Sequence, residues 1–359
     1  MVPDDNEVAA SGGETDRRHF LGTSLALLVG SAVSPVAVGA LSTSASSVSS
    51  AKPGQIAIPP GAFPRRPTLD LFPGFEEIRI ETSEATIAGV VGGSGPPLLL
   101  LHGYPQSHLE WHHIAPRLAE RFTVVATDLR GYGSSSVPPD GEEHLGYSKR
   151  AMARDQVEVM EKLGFDRFAL VGHDRGGRVA HRLTLDYPDR VERVAVLDIV
   201  PTLHLYRNVT KEFATSYYHW FFLIQRAPVP ETLYGSNADF VLRSTLFGGL
   251  VGGAIPDEVY AGYLRAFSDP ASLHAMCEDY RAGAGIDLVH DEADLDRRIH
   301  CPLFALWGAS GAMARLYDVL AIWRERGTDV RGAAIPGGHW FPEANPEETF
   351  AALSEFLSS

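Results

Sequence analysis

The run Val171-Gly172-His173-Asp174-Arg175-Gly176-Gly177 constrains this chain more than any other segment. An apolar stretch, Phe168-Ala169-Leu170, leads into it, and a helix-like segment, Arg178 to Leu185, follows. Strand, glycine-flanked polar residue, then helix describes a sharp turn that lifts the central side chain above the end of a sheet. Small residues on both sides let the backbone turn so tightly. The residue presented is Asp174. A serine there would serve acyl transfer. A carboxylate suits displacement at a tetrahedral carbon, which leaves an ester that water must hydrolyse.

With 359 residues, 45% of them hydrophobic, the chain can form one large α/β domain with an insertion, or two small domains. A formal net charge of -14 argues against nucleic acid as a partner. Lys is scarce, so an anionic substrate would have to be met by Arg. Cys277 and Cys301 are the only cysteines, without disulfide framework or metal-type spacing, and read as buried, reduced packing residues. Near the N-terminus, Arg17-Arg18 precedes a weakly apolar stretch, Leu21 to Ala40, ending in Val38-Gly39-Ala40. Residues 1–40 are similar to a twin-arginine signal, so export is expected, with no stable membrane association once the signal is removed. Residues 41–73, Ser-rich and then Pro-rich, read as a linker.

Beyond it the pattern predicts α/β architecture, with core segments at 74–200 and 299–359. Strands are expected at 77–81, 85–91, 97–101, 122–129, 168–171, 194–200, 303–307 and 330–335. Helices are expected at 108–120, 149–163, 313–325 and 346–357. This alternation implies a mostly parallel, doubly wound sheet. Residues 201–298 lack strand runs and are rich in aromatics. They predict an inserted helical cap over the C-terminal sheet edge, where ligands bind in such folds.

An ester on Asp174 needs a base to activate water and an acid to orient the base. His339, in Pro336-Gly337-Gly338-His339-Trp340 after the last strand, is the candidate base. The turn Trp307-Gly308-Ala309-Ser310-Gly311 offers no carboxylate. Asp198, ending an apolar run, is the candidate orienting acid, with capping of the following turn as its other reading. His102-Gly103-Tyr104-Pro105 sits where an oxyanion-binding loop belongs, so the backbone N–H groups of Tyr104 and Arg175 are the expected donors. Arg175 and Arg178, at i and i+3 beside Asp174, suit a substrate carboxylate held by two guanidinium groups. In the other reading, Arg178 pairs with Asp186 or Asp189. His108, Glu110, His112 and His113 lack metal-binding order, and neither metal nor cofactor is implied.

Taken together, these segments resemble the fluoroacetate (haloacetate) dehalogenase group of α/β hydrolases. His102-Gly103-Tyr104-Pro105-Gln106, Gly172-His173-Asp174-Arg175-Gly176, Leu197-Asp198-Ile199, Tyr218-His219-Trp220, Met276 to Gly283 and Gly338-His339 carry the likeness. It implies an α/β-hydrolase fold, with Asp174 as nucleophile and His339 with Asp198 activating water. It also implies the Arg pair binding carboxylate, and His219, Trp220 and Tyr280 cradling the leaving halide. Leu205 and Gly249 fall where relatives carry bulky aromatics, which implies a roomier pocket than fluoroacetate needs. The expected function is hydrolysis of 2-haloacids through an Asp ester, with a small anionic organic substrate and water as partners. A homodimer is compatible with this reading. Epoxide hydrolysis, with Tyr217, Tyr218 or Tyr280 as donors, is the competing reading, and a non-catalytic binding protein a lesser one.

Export predicts a mature chain starting after about Ala40. N-terminal sequencing of protein from its native host checks this; intact Met1 in the cytoplasmic fraction is the contrary result.

Overall fold

The computed structural model describes residues 71–359 and a two-residue strand, Arg66–Pro67. The expected signal at 1–40 and most of the 41–73 stretch lie outside the described residues. The strand Arg66–Pro67 pairs with Glu76 and Glu77, an element the linker reading did not foresee. Among the described residues, no helix is long and apolar enough to cross a membrane.

The strands are β1 (Arg66–Pro67), β2 (Phe75–Glu81), β3 (Thr86–Gly93), β4 (Pro97–Leu101), β5 (Thr123–Thr127), β6 (Phe168–His173), β7 (Val191–Leu197), β8 (Leu303–Gly308) and β9 (Val330–Ile335). They form one sheet in the order β1-β2-β3-β5-β4-β6-β7-β8-β9. The three pairings at the β1 end are antiparallel; all those from β5 to β9 are parallel. Alternate residues bury on opposite faces. Leu99, Leu101, Leu170, Val194 and Val196 join one apolar cluster, and Leu98, Leu100, Val171, Ala195 and Leu197 the other. Burial of both faces is why these strands read as continuous apolar runs.

The strand order reverses between β4 and β6, so the crevice beyond their C-terminal ends is the natural ligand position. Backbone contact there is very close. A Cβ on Gly176 would lie 2.4 Å from the Leu101 carbonyl oxygen, and one on Gly172 would lie 2.4 Å from that of Gly176.

Between β7 and β8 the chain forms helices only, from Thr202–Arg207 to Ile286–Ala293, apart from isolated bridges between Val251 and Ile255 and from Ile299 to Gly327. The longest is Pro270–Ala284. Asp269 caps it by accepting from the Ser272 N–H at 2.8 Å, and Pro270 occupies a first-turn position that needs no N–H partner.

Some boundaries differ from expectation. Strand β7 stops at Leu197 because Asp198 has φ 51°, which turns the chain out of the ladder. The helix expected at 108–120 is a 3₁₀ turn, His108–Trp111, and a short helix, Ala115–Leu118, with Pro116 in its first turn. The helix expected at 313–325 divides into Ala312–Leu316 and Val319–Arg324, the second capped by Asp318. Cys277 is buried as expected, but Cys301 is only half-buried; both are free thiols.

Gly176→Ala is expected to lower folding stability by at least about 2 kcal/mol, because a methyl group cannot be fitted against strand backbone without shifting it. Urea unfolding of the variant and the parent protein checks this.

Candidate active site

Asp174 follows β6 directly and opens the helix Asp174–Asp186. Its φ of 43° is left-handed, a strained conformation for a residue with a Cβ, and the glycine-lined approach to β4 holds it there. The Tyr104 N–H donates to Asp174 Oδ2 at 3.0 Å. The Arg175 N–H lies in the first helical turn, where amides lack intrahelical partners. Burial pushes the Asp174 pKa up, but His339, Arg178, Arg175 and His173 outweigh it and hold the carboxyl below its ordinary value. Asp174 is thus ionised at neutral pH although almost wholly buried.

His339 and Asp198 come together from different strand ends. His339 Nδ1 lies 2.6 Å from Asp198 Oδ2, and Asp198 Oδ1 accepts from the Gly308 N–H at 2.9 Å. Both oxygens of this buried carboxylate are therefore used, and the partnered reading of Asp198 fits better than simple turn capping. His339 and Asp174 both line a cavity of about 180 Å³, with Tyr104, Tyr217, His219 and Leu246 among its walls. A larger cavity, about 320 Å³, opens at His181, Leu203 and Arg326 and does not include Asp174.

Arg178 is buried and, among the described residues, pairs with no acid. Its Nη1 donates to the Val200 carbonyl (3.0 Å) and Thr202 Oγ1 (3.1 Å), whereas Nε has no protein partner. Asp186 pairs with Arg150 and Arg182 instead. Arg175 departs from the expectation of a free guanidinium. Its Nε and Nη2 hold Asp279 Oδ2 (2.9 Å) and Oδ1 (2.5 Å), which leaves only Nη1 without a protein partner. The cause is electrostatic: a second unpaired guanidinium this deeply buried would be costly. Asp279 also pairs with Lys149 and accepts from the Tyr132 hydroxyl at 2.7 Å. Burial alone would raise its pKa, but Arg175 and Lys149 hold it well below the usual carboxylate range.

The aromatic residues gather around the two arginines. Arg175 lies 4.2 Å from the Tyr280 ring centre, and Arg178 lies 4.5 Å from that of Trp220. Trp220 Nε1, Tyr280 OH and Tyr104 OH are buried without protein partners. Burial, the largest influence, lowers the His219 pKa to about 4, so its imidazole is neutral at pH 7. Burial and then Asp174 push Tyr280 well up, so its hydroxyl keeps its proton. Around Asp174, five groups thus hold buried polar atoms that no acceptor or donor among the described residues satisfies: Arg175, Arg178, Trp220, Tyr280 and Tyr104. They adjoin one another through the Arg175–Tyr280, Arg178–Trp220, Trp220–Tyr280 and Tyr104–Tyr280 contacts. Arg175, Arg178 and Trp220 can only donate, and burial keeps the Tyr280 and Tyr104 hydroxyls protonated and able to donate, so the cluster suits an anion.

Two expected pocket openings are corrected. Gly249 is exposed, and a Cβ there would meet nothing within 4 Å, so it forms no pocket wall. Leu205 is wholly buried and is not among the residues lining the cavity, nor are Arg175, Arg178, Trp220 and Tyr280, which lie behind its wall residues Asp174, Tyr104 and His219. Thr245, Leu246 and Ala312 line the cavity instead.

Residues 96–346 match the family model of the α/β hydrolase fold. The chain belongs to the α/β hydrolase family. Among its relatives is a fluoroacetate dehalogenase of a Burkholderia species, 47% identical over 290 residues that span 80% of this chain and 95% of the relative. A soluble epoxide hydrolase of a Corynebacterium species is 35% identical over 75% of this chain and 92% of its own length. A solved α/β hydrolase structure from a Nostoc species superposes with TM-score 0.77 at 57% identity, covering 79% of this chain and 98% of that one.

Several of the hydrolase's buried polar residues carry no local signal that singles them out. Asp279 is one. His173 and Glu110 are a second pair, with His173 Nδ1 2.8 Å from Glu110 Oε1. Glu343 is another, accepting from Gln106 Nε2 (2.6 Å) and the Tyr263 hydroxyl (3.0 Å). Glu110, which the sequence shows only as part of a His-rich stretch without metal-binding order, is fully buried. Elsewhere Asp140, His274 and Glu278 bring ligand-type atoms within 4.8 Å of one another. Glu231, Arg281 and His144 already engage this group, which joins the insertion to the core as an ion-pair network.

Asp279→Asn is expected to cost about 3–5 kcal/mol at pH 7, because two buried cations lose their counter-charge. The folded pKa of Asp279 is depressed, so its contribution is complete above the unfolded carboxylate value and fades as pH falls through the folded value. Unfolding curves for variant and parent should therefore converge in strong acid, and chemical denaturation at pH 7 and in acid checks this.

Proposed function

We propose that this hydrolase releases halide from 2-haloacids in two steps. The observation that carries the reading is the set of unsatisfied donors beside Asp174. Arg178 Nε and Arg175 Nη1 offer one N–H each to a substrate carboxylate, in place of the two full guanidinium forks that the sequence suggests. Trp220 Nε1, the Tyr280 hydroxyl and the neutral His219 ring offer donors to a departing halide.

In the first step an oxygen of Asp174 attacks C2 of the acid; the C–O bond forms as the carbon–halogen bond breaks, and halide leaves. In the second, His339 takes a proton from water, which adds to the carboxyl carbon of the Asp174 ester. Asp198 orients and stabilises the protonated His339 ring. The Tyr104 and Arg175 amides stabilise the negative charge on the ester oxygen. Collapse of this intermediate breaks the bond between the Asp174 carboxyl carbon and the substrate oxygen; the protonated His339 gives its proton to that oxygen, the 2-hydroxy acid leaves, and the new Asp174 carboxyl loses its proton to solvent. No cofactor enters either step. The relative named fluoroacetate dehalogenase supports this reading, and a small cavity suits short acids, with Thr245, Leu246 and Ala312 limiting their length.

Epoxide hydrolysis is the second reading. The free Tyr280 hydroxyl and the epoxide hydrolase relative favour it, but two arginine N–H donors have no role with a neutral epoxide.

Asp174→Asn is expected to reduce turnover of chloroacetate about a thousandfold or more. His339→Ala should still be alkylated, and mass spectrometry should find the substrate-derived adduct on the Asp174 peptide. An adduct elsewhere, or normal turnover by His339→Ala, contradicts the two-step scheme.

Arg178→Met should lower kcat/KM for chloroacetate about thirty- to a thousandfold while leaving a neutral chloroalkane little changed. Halide-release assays on both compounds, with an epoxide panel alongside, check the substrate class. Equal rates on acid and neutral compound in the parent enzyme defeat the carboxylate role; activity on epoxides alone favours the second reading.

A further inference from the structure

We infer that His173 is a positioning residue, tying the loop that carries the Tyr104 amide to the loop that carries His339. The inference rests on the two-step reading above and adds to it a residue that does not touch substrate.

His173 ends β6 one residue before Asp174 and is fully buried. Its two ring nitrogens face opposite loops. Nε2 lies 3.0 Å from the His339 backbone carbonyl. A carbonyl only accepts, so Nε2 carries a proton. Nδ1 lies 2.8 Å from Glu110 Oε1, a close ion pair rather than an aligned hydrogen bond. The other oxygen of Glu110 accepts from the Gly103 N–H at 2.9 Å, and the next amide in the chain, that of Tyr104, donates to Asp174. One ring thus connects, through Glu110 on one side and a carbonyl on the other, the oxyanion donor and the base to the strand that ends at the nucleophile. The His173 and His339 rings are also in contact, with centres 4.7 Å apart.

Packing alone does not require this arrangement. An apolar side chain would fill a fully buried site without the desolvation cost of a charged pair. The charged groups around His173 come from every neighbouring element: Glu110 after β4, Asp174 on its own strand end, Asp198 after β7, and His339 with Glu343 after β9. Burial would lower its pKa, but Glu110, then Asp174 and Asp198, raise it to about 9. A second tie joins the same two loops, from Gln106 to Glu343, with Tyr263 of the insertion added. Glu343 is pushed up to about 8, by burial and then by Glu110, so at neutral pH it is mostly protonated and leaves Glu110 as the counter-charge of His173.

If His173 sets the position of His339, its loss should slow ester hydrolysis more than ester formation. His173→Gln keeps a donor for one loop and loses the other tie. On chloroacetate its kcat is expected to fall about ten- to a hundredfold, as for a catalytic group displaced by about 1 Å, with KM no higher than in the parent. The Asp174 peptide should then carry the adduct during turnover. Glu110→Gln still accepts from Gly103 and can donate its amide to Nδ1 of a neutral ring, so its kcat is expected to stay within about fivefold of the parent.

His339→Ala in the same series separates the two claims. If it accumulates the adduct and His173→Gln does not, whether kcat falls or not, the positioning role is overturned and the two-step reading stands. If His339→Ala shows no adduct, the two-step reading fails. Nitrogen NMR of histidine-labelled parent enzyme at pH 7.5 keeps the test open should His173→Gln not fold. A proton on Nε2 of His173, facing the His339 carbonyl, is expected, and an unprotonated Nε2 overturns the inference.

Discussion

Close backbone packing at one sharp turn underlies everything else in this hydrolase. Gly172 and Gly176 bring the start of the helix Asp174–Asp186 against the ends of β4 and β6, and the Gly176 N–H donates to the His102 carbonyl at 2.9 Å. No side chain fits in that contact. Because the helix is held so near the sheet, Asp174 is kept at a positive φ and its carboxyl projects over the crevice where the strand order reverses. The same contact fixes the His102–Tyr104 loop, so that the Asp174 carboxyl and the Tyr104 amide that donates to it are set by one piece of geometry. Strain at Asp174 persists because its surroundings leave the turn no alternative.

Electrostatics is the second constraint. A carboxylate this buried would ordinarily take up a proton, and Asp174 stays ionised only because cationic groups surround it. Those groups need their own balance. Asp279 neutralises Arg175 and shares Lys149 with Asp287. Arg178 is left with backbone and hydroxyl acceptors and with Asp174 as its nearest counter-charge. The division is unequal: Arg175 is held by the insertion and keeps only Nη1 without a partner among the described residues, while Arg178 meets no acid there and keeps Nε unpartnered. It also joins insertion to core, since Asp279 lies on Pro270–Ala284 while Arg175 and Lys149 lie on core helices.

Much of the fold was legible because its signals are local. Buried parallel strands are unbroken apolar runs, and 330–335 matches β9 residue for residue. Glycine on either side of Asp174, and a glycine-rich turn before His339, mark backbone that must pass close to other backbone. Boundaries were misjudged where one residue decides them: Asp198 by its positive φ, Pro116 and Asp318 by starting new helices. Leu205 and Gly249 misled because alignment within a helical insertion says little about which residue faces a cavity; the side chains that do are Thr245 and Leu246.

The sequence by itself determined the chemistry on offer: a carboxylate at the elbow, a histidine after the last strand, an aspartate at the end of an apolar run, and two arginines one turn apart. These are properties of residue type and of short-range backbone geometry, which the order of amino acids specifies directly. Only the tertiary structure decided which charges neutralise one another. Asp279 meets Arg175 across 104 positions, Glu110 meets His173 across 63, and Gln106 meets Glu343 across 237. Pairings of that range leave no periodic trace in a single sequence. They are selected by burial, because a charge removed from water must find whatever partner the fold brings within reach.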